Sequence, residues 1–247
     1  MDPESTVNAI ELTGLSKAYG IGSGARVVLN SLDLVVEQGQ FVSLTGPSGS
    51  GKSTLLNLIA GLDTPDSGRI VVTGLVLGGL ADHELADLRL QKIGFVFQSF
   101  NLLPALTVWE NVAWPLEYSG RSKADVRTRV ARALERAGIG GRDRNYPSEL
   151  SGGEQQRVAI ARSIAPSPIL LLADEPTGNL DSQTGGATLD LLRDLNRTDG
   201  VTIVMVTHNL FAATYGDRTI ELRDGRIVHD VRAPAVEENE STERLAE

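Results

Sequence analysis

The sequence contains no cysteine. Disulfides and thiolate metal sites are therefore excluded, a composition that fits a reducing compartment. Positive charge is in deficit: 23 Lys and Arg stand against 32 Asp and Glu, giving a net charge of -9 and a pI near 4.9. Nucleic acid is consequently not an expected partner, because phosphate backbones select basic faces. Long apolar runs are missing as well. The most apolar stretches, Ile169 to Ala173 and Val201 to Val206, have the length of core strands, whereas crossing a bilayer takes roughly 20 residues. The first residues, Met1-Asp2-Pro3-Glu4-Ser5-Thr6, offer neither a basic leader nor an apolar run, so no secretory signal is expected. No internal repeat is found.

What is present is a 41% hydrophobic chain of 247 residues, enough for a sizeable core in one compact α/β unit. Strand-like runs at Val7 to Leu12, Arg26 to Val36, Phe41 to Thr45, Ile93 to Phe97, Ile169 to Ala173 and Val201 to Val206 alternate with helical patterns. That alternation predicts a mostly parallel core sheet. The first two runs precede any good helix and predict a small antiparallel β subdomain. Asp224-Gly225 marks a hairpin turn near the end of the chain. From about 99 to 165 the pattern turns helical, with Ser122 and Asp125 spaced as a capping box and Gly138 placed as a helix stop, so an inserted α-helical subdomain is expected. The expected organisation is a unit over 1–232 followed by an acidic tail, 233–247, too poor in apolar residues to offset its ordering entropy.

Three motifs carry chemistry. Gly46-Pro47-Ser48-Gly49-Ser50-Gly51-Lys52-Ser53-Thr54 follows the apolar run Phe41 to Thr45 and opens the helical run Leu55 to Ala60. This is the context in which backbone N–H groups and a helix N-terminus cradle phosphates: Lys52 would reach the β- and γ-phosphates and Ser53 would offer its hydroxyl to Mg²⁺. The loop alone leaves ATPase, GTPase and kinase open. Asp174 and Glu175 end the buried-type run Ile169 to Ala173, where open α/β sheets place their ligands. Asp174 suits a water-mediated Mg²⁺ contact and Glu175 a general base for the attacking water. Ser151-Gly152-Gly153-Glu154, within Leu150 to Arg157, is a capped helix start whose two glycines are costly there unless an anion approaches the backbone.

With that third motif the sequence resembles the ATP-binding cassette (ABC) family, whose signature motif is matched at Leu150 to Arg157, and the likeness runs from about Ala9 to Val231. The resemblance implies a P-loop cassette that binds and hydrolyses ATP with Mg²⁺. It also implies roles for single residues: Tyr19 stacks on the adenine, Gln98 contacts Mg²⁺ and links the site to the helical subdomain, Asp181 belongs to a loop that communicates across a dimer, and His208 senses the γ-phosphate. Departures are the insertion Ile21-Gly22-Ser23-Gly24 beside Tyr19, Asn209 where an acid often follows the histidine, and the prolines Pro166 and Pro168, which predict an earlier helix end.

Two cassettes would face head to tail, ATP lying between one loop and the other's signature helix, at the cytoplasmic face of a membrane. An integral membrane permease would dock near Phe100 to Val108. Phe97 to Val112 together with Gly61-Leu62-Asp63 looks most like the MacB, lipoprotein-release and FtsE-like branch, pointing to an exporter or a MacB-like force-transmitting system. An FtsE-like signalling ATPase and a soluble cassette outside transport are the alternatives.

Overall fold

A computed structural model of the chain describes residues 7–20 and 22–232. The expected acidic tail lies outside the described residues. β1 (Asn8–Tyr19) and β2 (Arg26–Glu37) pair antiparallel. β1 runs well past Leu12 because register shifts between Leu12, Leu15 and Lys17 carry the pairing on, and such bulges break the simple alternation that marks a strand in sequence. β3 (Phe41–Thr45) feeds α1 (Lys52–Ile59). β4 (Ser67–Val72) and β5 (Leu75–Val76) complete a four-stranded sheet of order β2-β1-β4-β5.

α2 (Asp82–Lys92) leads to β6 (Ile93–Phe97). Then come α3 (Val108–Glu117), α4 (Lys123–Arg136) and α5 (Gly152–Ile164) before β7 (Leu170–Asp174). α6 (Ser182–Asp199), β8 (Thr202–Val206), α7 (Leu210–Ala213), β9 (Arg218–Arg223) and β10 (Arg226–Arg232) follow. The second sheet has the order β10-β9-β3-β8-β7-β6. All its pairs are parallel except β9 with β10, which turn back at Asp224-Gly225.

The central parallel strands β3, β7 and β8 are buried on both faces, as packing between two layers requires. Leu170 and Leu172 pack with α1 and the antiparallel sheet, whereas Leu171 and Ala173, pointing the other way, pack with Leu189, Leu192 and Leu195 of α6. The helices α3, α4 and α5 enclose a third cluster that includes Val112, Leu116, Val130, Leu134 and Val158. α5 starts on a reciprocal capping box: Ser151 Oγ accepts from the Glu154 amide at 3.3 Å and the Ser151 amide donates to Glu154 Oε2 at 2.9 Å. α4 has half of one. Ser122 Oγ accepts from the Asp125 amide at 3.2 Å, but the Asp125 carboxylate is taken by Arg121 and Arg129. α5 stops at Ile164, just ahead of Pro166.

Candidate functional site

The turn between β3 and α1 sits at the C-terminal edge of the parallel sheet. Gly46, Gly49 and Gly51 all have positive φ, a backbone only glycine adopts freely. Gly46 is fixed by packing too, since a Cβ there would collide with the Leu222 carbonyl of β9. Lys52, 8% exposed, donates to the carbonyls of Gly46 and Pro47 at 2.9 Å each. Ser50 is 3% exposed and its hydroxyl has no partner among the described residues. A lysine parked on carbonyls and an orphaned hydroxyl in a ring of amides fit a phosphate group.

Beside the loop lies a cleft of about 450 Å³ lined by Tyr19, Arg26, Val28, Ser48, Gly49, Gly51, Lys52, Ser53, Thr54, Asp174, Glu175, Val206 and His208. Ser53 Oγ is 3.4 Å from Asp174 Oδ1. Burial pushes the Asp174 carboxyl above its ordinary value, with the neighbouring Glu175 charge adding to the shift and Ser53 and Lys52 opposing it. Glu175 has φ +49, an αL backbone costing a non-glycine residue roughly 1 kcal/mol. Its amide donates to the Val206 carbonyl at 3.0 Å, and its carbonyl accepts from the Gly178 amide at 3.0 Å. This aims the carboxylate at His208, whose Nδ1 lies 2.8 Å from Glu175 Oε1. An ionised carboxylate only accepts, so in that arrangement Nδ1–H is the donor, and a neutral ring would leave Nε2 as an acceptor. For His208 to donate to a phosphate oxygen through Nε2 it must be protonated; donation through Nδ1 requires release of Glu175. Asn209, next to His208, caps α7, its side chain accepting from the Phe211 and Ala212 amides.

Tyr19 is held despite the insertion that follows it: its hydroxyl donates to Asp63 Oδ2 at 2.6 Å, and the Lys17 ammonium lies 5.1 Å from the ring centre. The Asp63 hydrogen bond, followed by burial, raises the Tyr19 pKa. Burial pushes Asp63 up, but hydrogen bonds from Lys17 and Tyr19 outweigh it and leave the carboxyl below its usual range. Arg26, the first residue of β2, is the Cα partner of Tyr19 and lines the same cleft. The strand beginning at Arg26 is legible in the sequence; the pairing that sets it across from Tyr19 is not.

Gln98, Ser151, Gly152, Gly153 and Asp181 are not brought into the cleft. Gln98 is tied to the loop after Glu175, its carbonyl accepting from Asn179 Nδ2 at 2.9 Å. Asp181 caps α6, accepting from the Gln183 and Thr184 amides at 3.0 Å and from Thr184 Oγ1 at 2.7 Å. The Thr184 amide, first among these donors, holds the Asp181 carboxyl below its ordinary value. The Thr184 methyl rests against Gly153, where a Cβ would collide with it. Gly153 is thus required by packing inside the chain, a reason other than the approaching anion. Gly152 is not: a Cβ there would make ordinary contacts with Leu180 and Phe100, at 3.7 and 3.8 Å.

A family model for ABC transporters matches residues 29–178, more than half of the chain. The chain belongs to the ABC transporter family. This ABC cassette is 45% identical over 231 residues to the macrolide export ATP-binding/permease protein MacB of Mannheimia succiniciproducens, covering 94% of this chain but 36% of that protein. It is 48% identical over 219 residues to the uncharacterized ABC transporter ATP-binding protein YknY of Bacillus subtilis, covering 89% of this chain and 95% of that one. Among solved structures it is similar to the cassette MJ0796 of Methanocaldococcus jannaschii, described as dimeric in a post-hydrolysis state bound to ADP and Pi. That similarity has TM-score 0.83 and 44% identity over 90% of this chain and 98% of the other. The cassette is an ABC-type ATPase and binds ATP. Among the described residues no helix is long and apolar enough to cross a membrane.

Proposed function

We propose that this cassette is the ATP-hydrolysing subunit of a transporter complex, working as a head-to-tail pair at the cytoplasmic face of a membrane and driving an integral membrane permease. The observation that carries the reading is the separation of the two nucleotide motifs: Ser48, Gly49 and Gly51 to Thr54 of the loop line the cleft, while Gly152 starts a capped helix outside it with no packing reason of its own. A second copy would bring Ser151 to Gly153 against the phosphates, making each site shared. The dimeric MJ0796 cassette and the joined ATP-binding and permease parts in MacB's name support both partners. The likeness to MacB favours an exporter or a force-transmitting system, with the permease docking near Phe100 to Val108.

Within each site the loop amides and Lys52 bind the phosphates, and Tyr19 offers its ring to adenine. Ser53 would supply a hydroxyl for Mg²⁺ and Asp174 would reach it through water, while Gln98, held outside the cleft by Asn179, would add its amide oxygen only after leaving that partner. Among the described residues no group of three or more His, Cys, Asp or Glu could by itself hold a metal ion, and a sparse oxygen set suits a cation that keeps waters and shares the nucleotide's oxygens. Bound there, Mg²⁺ would neutralise charge on the β- and γ-phosphates. Glu175, released from His208, orients and deprotonates the attacking water, and His208 is then free to donate to the γ-phosphate.

Glu175→Gln keeps the shape of the side chain without its basicity. It is expected to bind ATP, lose about 10²- to 10⁴-fold in turnover, and elute as an ATP-dependent dimer on a sizing column. Unchanged turnover would remove Glu175 from the base role, and a variant that remained monomeric with ATP would count against the shared site.

A further inference from the structure

Arg26 is a cation that neither the loop motif nor the family signature includes. It stands directly across from Tyr19 in the β1–β2 pairing, and side chains at directly paired positions project from the same face of a sheet. Both therefore line one cleft. Tyr19 is anchored outward to Asp63. Arg26 turns toward the loop: its Nη2 lies 3.5 Å from the point a Cβ on Gly49 would occupy, beside the amides that face a phosphate. Among the described residues Arg26 enters none of the ion pairs with carboxylates. Of the residues lining the cleft, Arg26 and Lys52 are the two that carry a guanidinium or ammonium group, so Arg26 is the cation besides Lys52 placed to meet an anionic ligand.

We propose that Arg26 is a further phosphate-binding residue for the nucleoside triphosphate, reaching from β2 to the outer side of the Gly46 to Thr54 loop. A guanidinium presents a planar fork of donors that matches two phosphate oxygens at once, which an ammonium does not. Its contribution grows with the number of phosphates, so Arg26 separates ATP from ligands with fewer charges. Arg26 is solvent-exposed, so the contribution is modest and screened by salt. The inference rests on the nucleotide-binding reading above and adds a residue to it.

The test is equilibrium titration of the full chain with ATP, ADP and adenosine, in Mg²⁺ buffer at low and high salt. Wild type, Arg26→Ala, Arg26→Lys and Lys52→Ala are compared, with nucleotide-free melting curves as the control for folding. Arg26→Ala is expected to raise the Kd for ATP about fivefold at low salt, less for ADP and not at all for adenosine, with Arg26→Lys falling between. Equal ATP affinity in wild type and Arg26→Ala, while Lys52→Ala binds weakly, overturns the role of Arg26 and leaves the nucleotide site standing. An equal loss for adenosine and ATP also overturns it, assigning Arg26 to the base side or to the Tyr19 segment. If Lys52→Ala bound ATP as tightly as wild type, the loop reading itself would fail.

Discussion

Asp174 is at odds with its surroundings. Burial raises its pKa, and the Ser53 hydroxyl, at 3.4 Å, only partly opposes that. Below the ordinary aspartate value of 3.8 the group is neutral in both folded and unfolded chains. As pH rises from there through the raised folded value, the native state holds its proton more tightly than the unfolded chain. The group's contribution to stability is thus lost across that window, and at neutral pH it burdens the fold. Asp174→Asn removes the charge and keeps the size. It is expected to raise the melting temperature of the nucleotide-free protein at neutral pH by about 1–3 °C while abolishing most Mg²⁺-supported turnover. Thermal melting without nucleotide checks the first part, and a lower melting temperature would mean that attraction to Lys52 exceeds the burial cost. The αL backbone of Glu175 next door is a second local cost held at the same edge, as expected where function rather than stability selects the geometry.

At the scale of elements, the sequence is legible where local chemistry decides the outcome. The run Phe41 to Thr45, the glycine-rich turn and α1 follow from periodicity and φ demands. So do the Asp224-Gly225 hairpin and the Ser151 cap. What was not legible depends on neighbours distant in sequence: that β9 crosses over Gly46, that Thr184 fills the space beside Gly153, and that Arg26 stands opposite Tyr19. The segment from Phe100 to Thr107 is another such case, with no helix or strand of its own. It is held by Asn111, which is fully buried, accepts from the Leu103 amide at 2.8 Å and places Nδ2 3.0–3.1 Å from the carbonyls of Leu103, Leu106 and Thr107. Arg162 of α5 adds donations to the Asn101 and Phe100 carbonyls at 2.6 and 2.9 Å. The backbone is therefore fixed from within while Leu103 stays 38% exposed, an arrangement suited to a docking surface whose apolar tip faces outward. Leu103→Asp is expected to leave the melting temperature within about 2 °C, as for surface changes, and to reduce co-purification of the membrane partner at least about tenfold, the loss of one apolar anchor. Undiminished co-purification would remove this segment from the docking surface.

For the whole molecule, charge decides the response to acid. Eight carboxylates, Asp63, Glu110, Asp125, Glu154, Asp181, Asp194, Glu221 and Asp230, are held below their ordinary values. Backbone amides at helix starts do this for Glu110, Glu154 and Asp181. Arg136, His229 and Arg218 do it for Asp194, Glu221 and Asp230, while at Asp63 and Asp125 the burial cost is outweighed by Lys17 and Arg121. A depressed carboxyl stabilises the fold above its unfolded pKa and loses that contribution as pH falls through the folded one. These eight therefore act together in acid, against Asp174, the one carboxyl among the described residues held above its ordinary value. The ordinary values are 3.8 for Asp and 4.5 for Glu, so melting temperature should be flat from about pH 6 to 8 and fall steadily below about pH 4.5. Net charge vanishes close to the pI of 4.9, which puts the solubility minimum just above the onset of that loss. Melting curves of the nucleotide-free protein between about pH 3.5 and 8, paired with light scattering, separate the two effects. A melting temperature that rose on acidification through that range would mean that the Asp174 burial cost outweighs all eight stabilised carboxylates.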